Sequence, residues 1–279
     1  MSQPPALTDR PALHRNRGRT RPEALFLHDH VIAQIQERLG EVNRAFTAPA
    51  IVTGHPGPWA AAFPDARIVD DAPVLDLDPG AHDLIVHAMA LHWADDPVGQ
   101  LVQCRTALKP DGLFLAACPG GRSLQELRAA LAMAESDVLG GLSPRVVPMG
   151  EIRDLGALLQ RAGLALPVAD ADAMTATYPD AWALMRELRA MGEGNALAQR
   201  ARRPVPRALF DRMAQVYADH FPADGGRILA TFELIYLTGW APDASQPQPL
   251  RPGSATARLA DALGARERPA GEPAAPQRD

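Results

Sequence analysis

Apolar residues recur along the chain in two rhythms. Over residues 22–39, Leu27, Val31, Ile35 and Leu39 return every four positions, with Ile32 beside them. That is the stripe of an amphipathic helix. Four short runs, at 50–53, 67–70, 83–89 and 113–118, are apolar almost continuously. Runs of this kind suit a parallel sheet covered on both faces. Helical spacing returns at 96–108, through Val98, Leu101, Val102 and Leu108, and again at 123–135 and 150–162. Residues 59–63 predict at most a short helix. Gly163 stands where a glycine commonly closes a helix. Turn residues punctuate the pattern: Gly54-His55-Pro56-Gly57-Pro58 after the first run, and Lys109-Pro110-Asp111-Gly112 before the fourth.

Strand and helix in alternation predict an α/β fold with a parallel sheet. The end differs. Two strand-like runs, 166–177 and 227–240, enclose helical segments near 180–191 and 206–219. This predicts an antiparallel pair at one sheet edge and a helical cap over about 178–222. A single folded domain is expected over 22–240. Residues 241–279 hold seven prolines with little apolar periodicity and read as a disordered tail. Residues 1–21, with Arg10, Arg15, Arg17, Arg19 and Arg21, read as a flexible, solvated leader. Its alternative role is to touch an acidic surface or anionic lipid.

Composition removes several classes. A net charge of -5 over 279 residues disfavours a general nucleic-acid binder, whose footprint is basic. Cys104 and Cys118 are too few for a disulfide framework or a four-thiolate zinc site, and both read as small core residues. His28 and His30 are two apart on a helix and do not share a face, so no metal pair is expected. No apolar stretch reaches membrane-spanning length, and a cytoplasmic location is expected. Arg200, Arg202, Arg203 and Arg207 form a basic run near the cap, either a solvated loop or a contact for an acidic protein partner.

The runs Asp83-Leu84-Ile85-Val86, Leu91-His92-Trp93 and Leu108-Lys109-Pro110-Asp111-Gly112-Leu113-Phe114 resemble class I S-adenosylmethionine-dependent methyltransferases. Gly140-Gly141-Leu142-Ser143-Pro144, Arg161-Ala162-Gly163, Met191-Gly192-Glu193-Gly194-Asn195 and Gly239-Trp240 resemble one branch of them. That branch is the methyltransferase-like assembly factors of respiratory complex I, kin to the malonyl-carrier O-methyltransferases of biotin synthesis. The resemblance implies a Rossmann-like sheet with a cap and S-adenosylmethionine as cofactor. It also implies a protein partner, a quinone-arm subunit of complex I carrying an arginine to be modified.

The same resemblance assigns residues. Gly54 and Gly57 fall in the cofactor loop, Asp70 and Asp71 at a strand end near the cofactor, and His87 in the strand beside it. His92 and Trp93 face the expected acceptor pocket, where His92 has the titration range of a base. The chain departs from the family pattern in two places. Pro56 and Pro58 each remove a backbone donor from the loop. Only 28 residues separate Gly54 from Asp83, about half of what two strands and a helix need. On the favoured reading, 67–70 is the family's third strand, and the second strand with its ribose-binding acid is missing. Three functions follow: an assembly-type enzyme acting on a protein, a small-acceptor O-methyltransferase, and a non-catalytic assembly scaffold with a degenerate cofactor site.

Overall fold

Among the described residues, seven strands build one sheet. In chain order they are β1 (Pro49–Thr53), β2 (Arg67–Val69), β3 (His82–Ala88), β4 (Leu108–Pro119), β5 (Ala165–Tyr178), β6 (Pro222–Ala223) and β7 (Arg227–Trp240). The sheet order is β2-β1-β3-β4-β7-β5, with β6 paired to β7. The first four strands are parallel to one another, and β7 enters antiparallel between β4 and β5. This computed structural model describes residues 6–247 and Gly264. It divides at Asp243, and the unit from Ala244 onward is described only at residues 244–247 and Gly264. The expected tail over 241–279 therefore lies mostly outside the described residues.

Continuous apolar runs form the parallel strands because both faces are covered. All seven residues of β3 are buried. Successive side chains alternate faces. Ile51, Leu84, Val86, Leu113 and Leu115 join one core cluster, while Ala50, Val52, Ile85 and Phe114 join the other. The first cluster receives α2 (Phe26–Glu41) through Leu27, Val31 and Ile35, and α5 (Gln125–Leu139) through Leu127, Ala130 and Leu131. The second receives α4 (Pro97–Ala107) through Leu101 and Cys104, and α6 (Ile152–Arg161) through Leu159. Gly163 adopts φ +78° just past α6, as its position predicts. Cys104 and Cys118 are buried, and that burial pushes both thiols up to about 12.

The helices α7 (Ala181–Ala190) and α8 (Arg207–His220) lie between β5 and β7 in the chain. They supply Leu184, Leu188, Leu209 and Met213 to the first core cluster. They form the expected cap.

Two sequence expectations are corrected here. Residues 67–69 pair in parallel register directly with β1. They stand second in the sheet, beside β1, and not third, so the absent strand is the one beyond β2, and Asp70 and Asp71 follow the second strand. The short interval has no room for another strand. The chain returns to β3 through coil, with Leu75 N–H donating to Gln103 at 2.8 Å. Arg67 pairs with Asp76 and Asp78 across this exposed edge, which charges a strand that would otherwise offer open backbone.

The Arg-rich leader is also partly ordered. Arg10–Arg17 form α1, with Asp9 accepting from Ala12 N–H at 3.0 Å. Ala12 and Leu13 pack with Trp93, Ala196 and Leu197. With so few apolar residues, α1 has no readable periodicity, and ion pairs supply what apolar area does not. Asp9 pairs with Arg200 and Arg202 at 2.9 and 3.0 Å. Those two members of the basic run therefore bind the chain's own N-terminal helix, and the expected external acidic partner is not needed to account for them.

Candidate functional site

The carboxyl ends of β1, β2 and β3 converge, which is where an open α/β sheet binds ligands. Gly54 follows β1, and Asp70 and Asp71 follow β2. His87 is near the end of β3, and His92 and Trp93 form a 3-10 turn just after it. The short helix α3 (Pro56–Ala62) leaves the loop with Pro56 in its first turn, where a missing N–H costs least.

The structure joins some of these residues through partners. Asp71 is 1% exposed and accepts from Arg17 Nη1 at 2.7 Å and Arg10 Nη2 at 3.0 Å. Burial raises the carboxyl pKa, but the two guanidinium groups outweigh it and hold Asp71 ionised well below the usual range. The Arg17 side chain is itself buried, and among the described residues its Nε and Nη2 have no hydrogen-bond partner. A Cβ added to Gly54 would lie 2.1 Å from the Arg17 guanidinium carbon. The face of Gly54 is thus covered by Arg17 of α1. Gly57 is exposed with open space beside it, and Asp70 is exposed. Neither joins the cluster.

His87 is fully buried, and Nε2 bonds Gln100 at 2.7 Å while Nδ1 has no partner among the described residues. Gln100 in turn donates to the carbonyl of Ala72 at 3.1 Å. His87 thus braces the segment after β2.

His92 and Trp93 meet at Glu193, in the loop after α7. Trp93 Nε1 donates to Glu193 Oε2 at 2.8 Å, and His92 Nε2 bonds the same oxygen at 3.3 Å. Burial raises the Glu193 pKa, but the His92 hydrogen bond and the charge of Arg17 lower it to about 2. Gly192 sets this loop with φ +84°, and a Cβ there would meet Thr20 Oγ1 at 2.5 Å. Glu193 was part of a quoted motif, but sequence reasoning missed its role because its partners lie 100 residues away in the chain. Arg10 and Arg17 were missed because a basic leader carries no local sign of docking.

A largely apolar cavity of about 100 Å³ lies here, lined by Leu27, Met89, Trp93, Leu124, Met191 and Glu193 among others. Behind it, His28 Nδ1 accepts from Trp59 Nε1 at 3.0 Å, and His55 packs edge-on to His28 at 4.8 Å between ring centroids. Burial lowers the His28 pKa to about 3 and shifts His55 in the same direction. A histidine kept neutral when folded takes up protons first in the unfolded chain, so stability rises with pH between the two values. We expect the Tm to fall as pH drops from about 6.5, before the usual carboxylate range is reached. Thermal unfolding from pH 7.5 to 4.5 checks this, and a flat Tm down to pH 5 would refute it.

S-adenosylmethionine is the cofactor this fold implies. As folded, the residues present do not fit it: Arg17 covers Gly54, Asp71 is committed to two arginines, and Pro56 and Pro58 offer no donor.

The sheet order, the antiparallel β7 and the cap define the protein as a Rossmann-like domain of the methyltransferase type. The solved YcgJ protein from Bacillus subtilis superimposes with a TM-score of 0.52 at 14% identity, covering 77% of this chain and 100% of its own. This likeness is one of fold. By sequence, the arginine-hydroxylase NDUFAF5, mitochondrial, of Danio rerio is 35% identical over 199 residues, 71% of this chain and 62% of that protein. The human protein of the same name is 36% identical over 70% of this chain and 56% of its own. A malonyl-[acyl-carrier protein] O-methyltransferase of Laribacter hongkongensis is 34% identical over 67% and 61%. The chain thus spans about three fifths of the length of these relatives. No protein-family model matches it.

Proposed function

We propose that this chain is a methyltransferase-superfamily assembly factor of the complex I type, acting in the cytoplasm on a quinone-arm subunit that presents an arginine. The observation that carries the proposal is the contrast between the two halves of the site. The acceptor side keeps a cavity with His92, Trp93 and Glu193 bound together, while the cofactor side is filled by α1. An assembly role needs the first half. The similarity to the arginine-hydroxylases favours this branch over the small-acceptor O-methyltransferases.

A second reading, a scaffold without catalysis, is favoured by one specific observation. Arg17 lies on Gly54 and is paired with Asp71. On either reading, deletion of the gene should abolish assembled complex I, scored by native gel and NADH–quinone activity. The Trp93→Ala chain, if folded, should fail to restore it. Biotin auxotrophy with intact complex I would instead support a small-acceptor enzyme and overturn both readings.

A further inference from the structure

The cap helices carry a second surface beside the site. On α7, Trp182, Met185, Arg186 and Arg189 recur at helical spacing and so share one stripe. On α8, Arg207 and Phe210 lie three apart on the neighbouring wall. Two hollows run along this seam, one of about 350 Å³ and one of about 560 Å³, and Phe210 lines both. Their floor is apolar, with Met185 and Leu188 in the first and Trp182 and Val205 in the second. The rings of Trp182 and Phe210 sit 6.0 Å apart between centroids, and both side chains stay partly exposed.

Charge along the borders has one sign. The chain as a whole carries a net charge of -5, yet these hollows are lined by five arginines, Arg19, Arg145, Arg186, Arg189 and Arg207, and by two acids. Both acids are engaged. Asp180 caps α7, accepting from Ala183 N–H at 2.6 Å, and Glu193 is held by Trp93 and His92. Of the arginines, Arg145 is matched by Glu135 at 2.7 Å, while Arg207 stands 3.8 Å from Asp211. Arg19, Arg186 and Arg189 are exposed and form no ion pair among the described residues. Guanidinium groups beside aromatic rings are the side chains that dominate protein–protein contacts. A groove between two helices, with an apolar floor and charged borders, takes an amphipathic helix along its length. A bilayer calls instead for apolar groups that enter the headgroup layer, and here they line the hollows.

We infer that this seam docks a protein partner through an amphipathic helix whose apolar stripe is bordered by Glu and Asp. The stripe lies on Trp182, Met185 and Phe210. The carboxylates meet Arg186 and Arg189 on the α7 side and Arg207 on the α8 side, with Arg19 in the hollow that Glu193 also lines. The inference goes beyond the assembly reading, since it concerns how a partner is held and not which of its residues is modified. It uses neither His92 nor the inner cavity.

The test is fluorescence anisotropy of a fluorescein-labelled peptide, Glu-Leu-Leu-Glu-Glu-Leu-Leu-Glu-Glu-Leu-Leu-Glu-amide, titrated with the full chain, beside the same peptide carrying Gln for every Glu. The acidic peptide should bind about tenfold more tightly, since several exposed charge contacts together amount to about one decade in Kd. The difference should shrink in about 0.5 M salt. Arg186→Glu with Arg189→Glu should abolish the preference. Both residues are exposed on α7, and circular dichroism and Tm establish that the variant is folded. Trp182→Ala should weaken both peptides alike. Equal binding of the two peptides, no binding at about 1 mM chain, or an undiminished preference in the charge-reversed variant would overturn the inference. So would sedimentation with phosphatidylglycerol vesicles, lost in the charge-reversed variant, while neither peptide binds, which would assign the surface to a bilayer. None of these results touches the assembly reading. Intact complex I after deletion sinks that reading whatever the peptides do.

Discussion

S-adenosylmethionine at 1 mM should leave the Tm of the wild-type chain unchanged, whereas the Arg10→Ala, Arg17→Ala variant should gain a saturable shift. The wild-type side chains compete with the ligand for the same positions. Arg17 covers Gly54, and both arginines hold Asp71, the acid at the strand end. The ligand would have to displace a buried, paired guanidinium before gaining any contact, and breaking a buried pair commonly costs about 3–5 kcal/mol. Removing both side chains frees the glycine face and the carboxylate. The prolines remain, so tight binding is not expected. A Kd of roughly 0.1 mM would stabilise the variant by about 1.4 kcal/mol at 1 mM ligand. A wild-type shift as large as the variant's would show that α1 yields freely to the cofactor. No shift in either would place the loss in the loop itself.

The fold was largely legible because its signals are local and repeated. The continuous runs at 50–53, 83–89 and 113–118 can hardly be anything but covered strands, and the α2 stripe is unbroken. The antiparallel edge and the cap followed from two long strand-like runs with helices between them. What local pattern could not supply was pairing. The run at 67–70 is equally apolar as a second or a third strand, and only its register with Ile51 and Val52 decides. The site divides in the same way. His92 and Trp93 were readable as residues at a strand end, but their carboxylate partner comes from the cap. Asp71 was readable as an acid near the cofactor, but its ionic partners come from the far N-terminus. Charge pairs across 54 to 101 residues leave no periodic trace.

These distant partners lie close together. A Cβ on Gly192 would meet Thr20, the Arg17 backbone and His55, and Glu193 follows it. The loop that presents Glu193 to the acceptor cavity therefore rests on the segment that closes the cofactor side.

Trp59→Ala should be the most damaging single substitution near the site, lowering stability by about 3–5 kcal/mol, the usual cost of deleting a buried aromatic ring. Trp59 is fully buried on α3, one turn after the proline-rich loop. Its ring stacks on Phe63 at 6.1 Å between centroids, and its Nε1 holds His28 Nδ1. The substitution would open a cavity at the first core cluster and leave a neutral, buried histidine without its donor. Trp59→Phe separates the two effects. It keeps most of the ring and loses the N–H, so it should cost about 1–3 kcal/mol, the penalty of an unsatisfied buried group. Urea unfolding of the three chains measures both steps, with unchanged m-values as the sign that the folded and unfolded ensembles are otherwise alike. If Trp59→Phe cost as much as Trp59→Ala, the hydrogen bond to His28 and not the ring would hold α3 in place. If both were near neutral, α3 would not anchor the loop, and the position of Gly54 beneath Arg17 would have to be set from the α1 side alone.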